Sequence, residues 1–352
     1  MTRNMRLLAS ASLLAVAAVA ASPAFAAGTA AGTTVTNSVT LDYKVGGVDQ
    51  NQVTASDSFT VDRKVNLTVA EVGTITTTVT PGQTSAVTTF TVSNASNAPL
   101  DFAIAGTQLS GGTAAHGGTD NFNVANLKVY ADTNSNGTYD PGTDQETTYL
   151  DQVIADTSRT VFVVADVPLG RATNDVAGVR LTATAAEATA AASLGATVTQ
   201  TAGANTAGVD TVFADTNANS NVARDGIHFA EDDYTVLAAS LTATKTSRVI
   251  SDPFNGTTNP KLIPGAVVEY CIAVANAAGS ATASAVNISD SLPITTTYDS
   301  AFGIKLNGTV TGSSCNADGT AGGTYAAGTV SASLTPIAAG VTRTVVFRVS
   351  VN

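Results

Sequence analysis

The chain has 352 residues, a formal net charge of −11, only 12% charged residues, 5% aromatics and no Trp. So acidic a surface disfavours nucleic acid and anionic membranes as partners and attracts cations. Thr, Val, Gly and Asn dominate, which suits strands joined by turns, and an apolar content of 44% argues against a disordered chain.

Residues 1–26 carry Arg3 and Arg6, an apolar stretch from Leu7 to Ala20, and then Ala24-Phe25-Ala26. A positive start, a short apolar run and a small-x-small end are the parts of a cleaved export signal. The run is too short and too Ala-rich for a membrane span, and no second run of spanning length follows. The sequence therefore predicts a mature chain from Ala27, secreted or on the outer cell surface, with no membrane span. Losing Arg3 and Arg6 takes its charge from −11 to −13.

Residues 27–64 read as N-terminal strands, with alternation from Val35 to Val45 and a turn candidate at Val45-Gly46-Gly47-Val48. An internal repeat then organises the chain. PGQTSAVTTFTVSN at 81–94 matches PGAVVEYCIAVAN at 264–276, and RTVFVVADV at 159–167 matches RTVVFRVSV at 343–351. The leading strands correspond as well, LTV at 67–69 with LTA at 241–243. The repeat predicts an all-β fold of tandem immunoglobulin-like β-sandwich modules at 65–186 and 241–352, joined by a β-rich connecting region at 187–240. The rival to strands is Ala185–Ala192, an Ala-rich run suited to a helical turn or two.

The sharpest local motif lies in the first module, at Asp132-Thr133-Asn134-Ser135-Asn136-Gly137-Thr138-Tyr139-Asp140. Oxygen-bearing side chains alternate, and Gly stands at the sixth position to permit a sharp turn, which is the spacing of a loop that wraps Ca²⁺. Asp132, Asn134, Asn136 and Asp140 are the expected ligands, with the Thr138 carbonyl, closing Asp144 and Glu146 in reserve. An ion-free Asx-rich loop is the alternative. An echo from Asp215 to Asn221 lacks the Gly, and its nearest acids stand at the wrong offset.

Cys271 and Cys315 both fall in the second module and read as a disulfide in an oxidising compartment, two buried thiols being the alternative. His116 and His228 have no partner His at ligand spacing, and Asp232 with Asp233 reads as a solvated pair in a loop. With no nucleophile elbow and no phosphate loop, the sequence predicts no enzyme.

Pro264-Gly265, Tyr270, Asn276 with Gly279, and the corner Asp290-Ser291-Leu292-Pro293 carry a resemblance. In these residues 241–352 resembles the bacterial and archaeal surface repeat catalogued as domain of unknown function eleven. The resemblance implies an immunoglobulin-like fold in secreted or surface proteins and no catalytic residues. The first module continues past Val167 to a last strand around Gly178–Thr184, whereas the second ends at Val351-Asn352. Gly32, Val35, Asn37, Val39 and Leu41 resemble the closing strand of the same repeat. The expected partner is therefore the protein itself, in a head-to-tail homopolymer through residues 31–45 and the 241–352 module. Folding back onto the first module and a local hairpin are the alternatives for that strand. The expected function is a calcium-stabilised extracellular filament or surface layer assembled by donor-strand complementation. The alternative is a monomeric adhesin or polysaccharide-binding module.

Overall fold

The computed structural model describes residues 28–216 and 222–352, so the export signal at 1–26 lies outside the described residues. Every named element among them is a strand. An N-terminal ribbon comprises β1 (Thr34–Leu41), β2 (Lys44–Val45), β3 (Val48–Asp49) and β4 (Val53–Thr60), with β1 paired to β4 and β2 to β3.

The first sandwich begins with β5 (Arg63–Val65), β6 (Leu67–Glu71), β7 (Thr77–Val79) and β8 (Ala86–Asn94). It continues through β9 (Leu100–Gln108), β10 (Ala125–Ala131), β11 (Gln145–Glu146) and β12 (Tyr149–Val153). β13 (Thr157–Asp166), β14 (Val176–Glu187), β15 (Thr211–Phe213) and β16 (Ile227–Val236) complete it. Two five-stranded sheets result, ordered β11-β10-β13-β8-β6 and β12-β9-β14-β16-β7.

The second sandwich opens with β17 (Leu241–Ser251), β18 (Val267–Asn276), β19 (Asn287–Ser291) and β20 (Thr296–Tyr298). There follow β21 (Ile304–Leu306), β22 (Val310–Thr311), β23 (Ser314–Cys315) and β24 (Thr320–Ala321). β25 (Thr324–Ala326), β26 (Thr329–Ser333) and β27 (Thr342–Val351) end it. One sheet runs β17-β18-β27-β21-β24, with β20 also on β27, and the other is β19-β26-β25.

Period-two alternation explains the cores. β8 buries Ala86, Phe90 and Val92 on one face, and β14 turns Val179, Leu181 and Ala183 inward. Tyr234 on β16 is fully buried and donates its hydroxyl hydrogen toward Val163 O, 2.9 Å away on the facing sheet. Cys271 and Cys315 form a disulfide that ties β18 to β23.

The two modules agree in register, not only in sequence. Leu67 pairs with Asn94 as Leu241 does with Asn276, and Arg159 pairs with Val92 as Arg343 does with Val274. Gly82 N donates to Val167 O and Gly265 N to Val351 O, both glycines at positive φ (77° and 86°). The repeated Asn is buried in each copy. Asn94 Nδ2 donates to Ala98 O and Val153 O, and Asn276 Nδ2 donates to Ala281 O and Ile337 O.

Two expectations are corrected. Residues 187–240 are not simply a connecting region: β16 pairs along nine positions of β14, and β15 pairs with β5, so the first sandwich extends to Val236. The run at Ala185–Ala192 is not helical, because Ala185 to Glu187 continue β14 in register with β9.

Asn94→Ala removes the side-chain donor to Ala98 O and Val153 O, and Asn276→Ala removes that to Ala281 O and Ile337 O. Each substitution is expected to destabilise its own sandwich by about 2–4 kcal/mol, read as a lowered denaturation midpoint in one of two transitions. Loss below 0.5 kcal/mol in both would refute the shared role.

Candidate functional site

The loop between β10 and β11 brings the sequence-predicted ligands together. Asp132 accepts hydrogen bonds from Gly137 N (2.8 Å) and Asn136 N (3.3 Å), and Asp144 accepts them from Asp140 N (2.7 Å) and Thr133 N (3.1 Å). Asp140 Oδ2 accepts from the Asn136 amide at 2.6 Å and the Asn134 amide at 2.9 Å. The Asn134 amide, then the Asn136 amide, hold the Asp140 carboxyl below the usual carboxylate range. Thr138 N donates to Asn136 Oδ1, and Gly137 takes φ 75°, the left-handed turn its position requires. Asp132 and Asp144 are buried while Asn134, Asn136 and Thr138 are exposed. Glu146 leaves the set, because its carboxylate pairs with Lys128 Nζ at 2.7 Å. The echo behaves differently. Asp215 is buried and accepts from the backbone N of Arg224, Asp225 and Gly226, while 217–221 lie outside the described residues.

A second constellation escaped the sequence reading. Glu71 closes β6, Asp232 lies within β16, and His116 sits on the Gly-rich loop between β9 and β10. His116 Nε2 is 3.0 Å from Glu71 Oε2 and 3.5 Å from Asp232 Oδ1. Among the described residues, these three form the group of His, Cys, Asp or Glu ligand atoms lying within 4.8 Å of one another. Asp233 holds the loop by accepting from His116 N at 2.7 Å. Asp232 and Asp233 are thus not solvated loop acids; both are buried in a strand. Burial foremost, then the neighbouring Glu71 and Asp233 charges, pushes the Asp232 carboxyl up to about 7 against the opposing effects of the Asp233 N–H and His116. His228 stands apart, with Nδ1 accepting from Val69 N at 3.1 Å and burial lowering its pKa.

The third feature is unpaired backbone. β9 is hydrogen-bonded on both sides, to β12 and β14. Its counterpart β19 pairs with β26 alone among the described residues. Beside it, Leu241 is 42% exposed where the matching Leu67 is fully buried. At the other end of the chain, β1 and β4 pair over eight positions and with no other described strand. Val35, Val39, Leu41, Val53, Ala55 and Phe59 share one face of that ribbon with the central cross-strand pair Asn37 and Asp57, and the opposite face is Thr and Ser throughout. Phe59 is 64% and Val39 62% exposed. Gly46 and Gly47, both at positive φ, make the tight turn at its tip. The base is tied to the first sandwich by Asn97, whose O accepts from Ala31 N and whose Nδ2 donates to Asp62 O. The local hairpin is thus the arrangement found for residues 34–60.

No known sequence family matches the chain, and no characterised protein matches it in sequence. Among solved structures, it is similar to the C-terminal domain of the AgI/II polypeptide BspA of Streptococcus agalactiae. That likeness has 10% identity and a TM-score of 0.35, covering 81% of this chain and 91% of that one. A putative membrane anchored protein of Corynebacterium diphtheriae is similar at 14% identity and a TM-score of 0.19, covering 91% and 89%. Scores this low carry no assignment of function. Among the described residues no helix is long and apolar enough to cross a membrane.

A carboxyl whose folded pKa is raised binds more protons folded than unfolded, so its contribution to stability falls as pH rises from about 4 through about 7. In chelator, Asp232→Asn is expected to stabilise the first sandwich at pH 8 by on the order of 2–4 kcal/mol and to change little at pH 4. Equal effects at both pH values in denaturant titrations would refute this.

Proposed function

We propose that the chain is an exported, non-catalytic structural protein of the cell surface or extracellular matrix, assembled head to tail by inserting the N-terminal ribbon of one copy beside β19 of the next. The observation that carries this reading is the match between the ribbon and the first sandwich's own β14 and β16. Those two strands form an antiparallel pair beside β9, with Leu181 and Ala230 buried on the inner face and Thr182 on the outer. The ribbon is also an antiparallel pair, with Val35, Val39, Leu41, Val53 and Phe59 flanking the polar pair Asn37 and Asp57 on one face and hydroxyls on the other. β19 stands where β9 does and has the corresponding edge free.

Covering the apolar side chains favours insertion, and covering Asn37 and Asp57 on the same face opposes it. Each Val, Leu or Phe fully covered contributes about 1.5–3 kcal/mol, and an isolated two-stranded hairpin is marginal in water. Against this, insertion must displace the Lys245–Asp290 ion pair, which spans β17 and β19 at 2.6 Å. A pair this accessible on its Lys side is worth only about 0–1 kcal/mol. Contacts of this head-to-tail kind do not close on themselves, so they propagate as filaments. The disulfide supports an oxidising compartment. The surface-repeat resemblance of 241–352 points the same way. Ca²⁺ held by Asp132, Asn134, Asn136, Thr138, Asp140 and Asp144 would stiffen the β10–β11 loop, with both Asn amides turned to present oxygen. Two Asn in place of Asp suit the modest affinity of extracellular sites.

Electron microscopy of the mature protein is expected to show regular fibres, absent after deletion of residues 28–60 while both sandwiches still melt cooperatively. Fibres from the deleted protein would sink ribbon donation. An intact chain that stays monomeric at high concentration would instead favour the adhesin reading. Calorimetric titration with Ca²⁺ is expected to give one site weakened at least about tenfold by Asp140→Asn; absence of heat with the intact protein would refute the calcium loop.

A further inference from the structure

We infer that Glu71, His116 and Asp232 form a binding site for one divalent cation of the zinc class, clamping the β9–β10 loop to both sheets of the first sandwich. The distances fit. A tetrahedral ion with bonds of about 2.0–2.1 Å holds neighbouring ligand atoms roughly 3.3 Å apart. The observed His116 Nε2 separations, 3.0 Å to Glu71 and 3.5 Å to Asp232, bracket that value.

The alternative is a protonated imidazole salt-bridged to two carboxylates, and two observations weigh against it. First, His116 Nε2 is sealed from solvent and makes no hydrogen bond of acceptable direction, although both carboxylates stand beside it. An N–H aimed at either oxygen would satisfy it; a nitrogen lone pair directed at a cation between the two oxygens aims at neither. Second, the charges do not balance. Elsewhere buried acids have clear partners: Glu269 lies between Arg248 and Arg348, and Asp101, Asp120 and Asp215 each accept two or more backbone N–H groups. Here two carboxylates, Glu71 and Asp232, face one imidazole, while Asp233, the next residue along β16, accepts from the backbone N of His116 and leaves Oδ1 buried without a partner. Excess buried negative charge is costly without a counter-charge.

Imidazole with carboxylates suits Zn²⁺, whereas Ca²⁺ takes oxygen ligands, so this site and the 132–144 loop select different ions. The loop is also held independently of the cation. Asp233 accepts from His116 N, and Asp120 accepts from Gly111 N and Gly178 N. Gly118, at φ 77°, packs where a Cβ would meet Val176 at 2.9 Å.

The test uses the mature protein, stripped with chelator and titrated with Zn²⁺ calorimetrically, with Co²⁺ as the spectroscopic probe. One saturable Zn²⁺ site is expected, with Co²⁺ bands of a four-coordinate centre and a raised melting temperature. His116→Ala should weaken Zn²⁺ by at least about tenfold, since even an outer-shell partner contributes that much. Ca²⁺ binding should not change, and Asp140→Asn should leave Zn²⁺ binding intact. Should His116→Ala fail to fold, Glu71→Gln reports the same loss. No saturable Zn²⁺ binding by the intact protein, or equal affinity in a folded His116→Ala or Glu71→Gln variant, would overturn the inference.

Discussion

A strand inside a sheet must have both backbone edges hydrogen-bonded, and the rest of this structure turns on where that condition is met. β9 meets it through β12 and β14, and behind β14 stands β16, which packs against β6 and positions Tyr234 across the core. β19 meets it on one side only. The same leading leucine, in the same register, is consequently buried in one sandwich and exposed in the other. An open edge beside incompletely covered apolar surface is a place for another strand.

The ribbon is the complementary case. Its backbone is internally paired, but pairing alone leaves Val35, Val39, Leu41, Val53 and Phe59 in water, a cost that two strands cannot recover by themselves. Among the described residues, the ribbon and β19 are thus both incompletely covered. Attachment of the ribbon through Asn97 sets it beside the first sandwich without covering that face.

Much of the fold was legible because the repeat is written locally. A Pro-Gly turn, a strand and a terminal Asn occupy contiguous residues, and the buried face of each strand follows from period-two alternation. The 132–144 loop was legible for the same reason, since Asp132 to Asp144 are neighbours in sequence before they are neighbours in space. Glu146 was the exception, because its pairing with Lys128 is decided across two strands. Asp232 and Asp233 were misread because IHFAEDDYTV places charge on both faces of a strand, hiding its period. The Glu71–His116–Asp232 group could not be found from spacing at all, being drawn from residues 71, 116 and 232 on three separate elements.

Taken alone, the sequence indicated two repeated β-sandwich modules and the oxygen-rich loop, which follow from neighbour-to-neighbour patterns, and placed both cysteines in one module. Tertiary structure decided which acids are buried together, that β16 belongs to the first sandwich, and that the N-terminal strand is half of a ribbon. Those outcomes depend on which faces remain uncovered after the sheets close, a property of long-range packing that no local pattern contains.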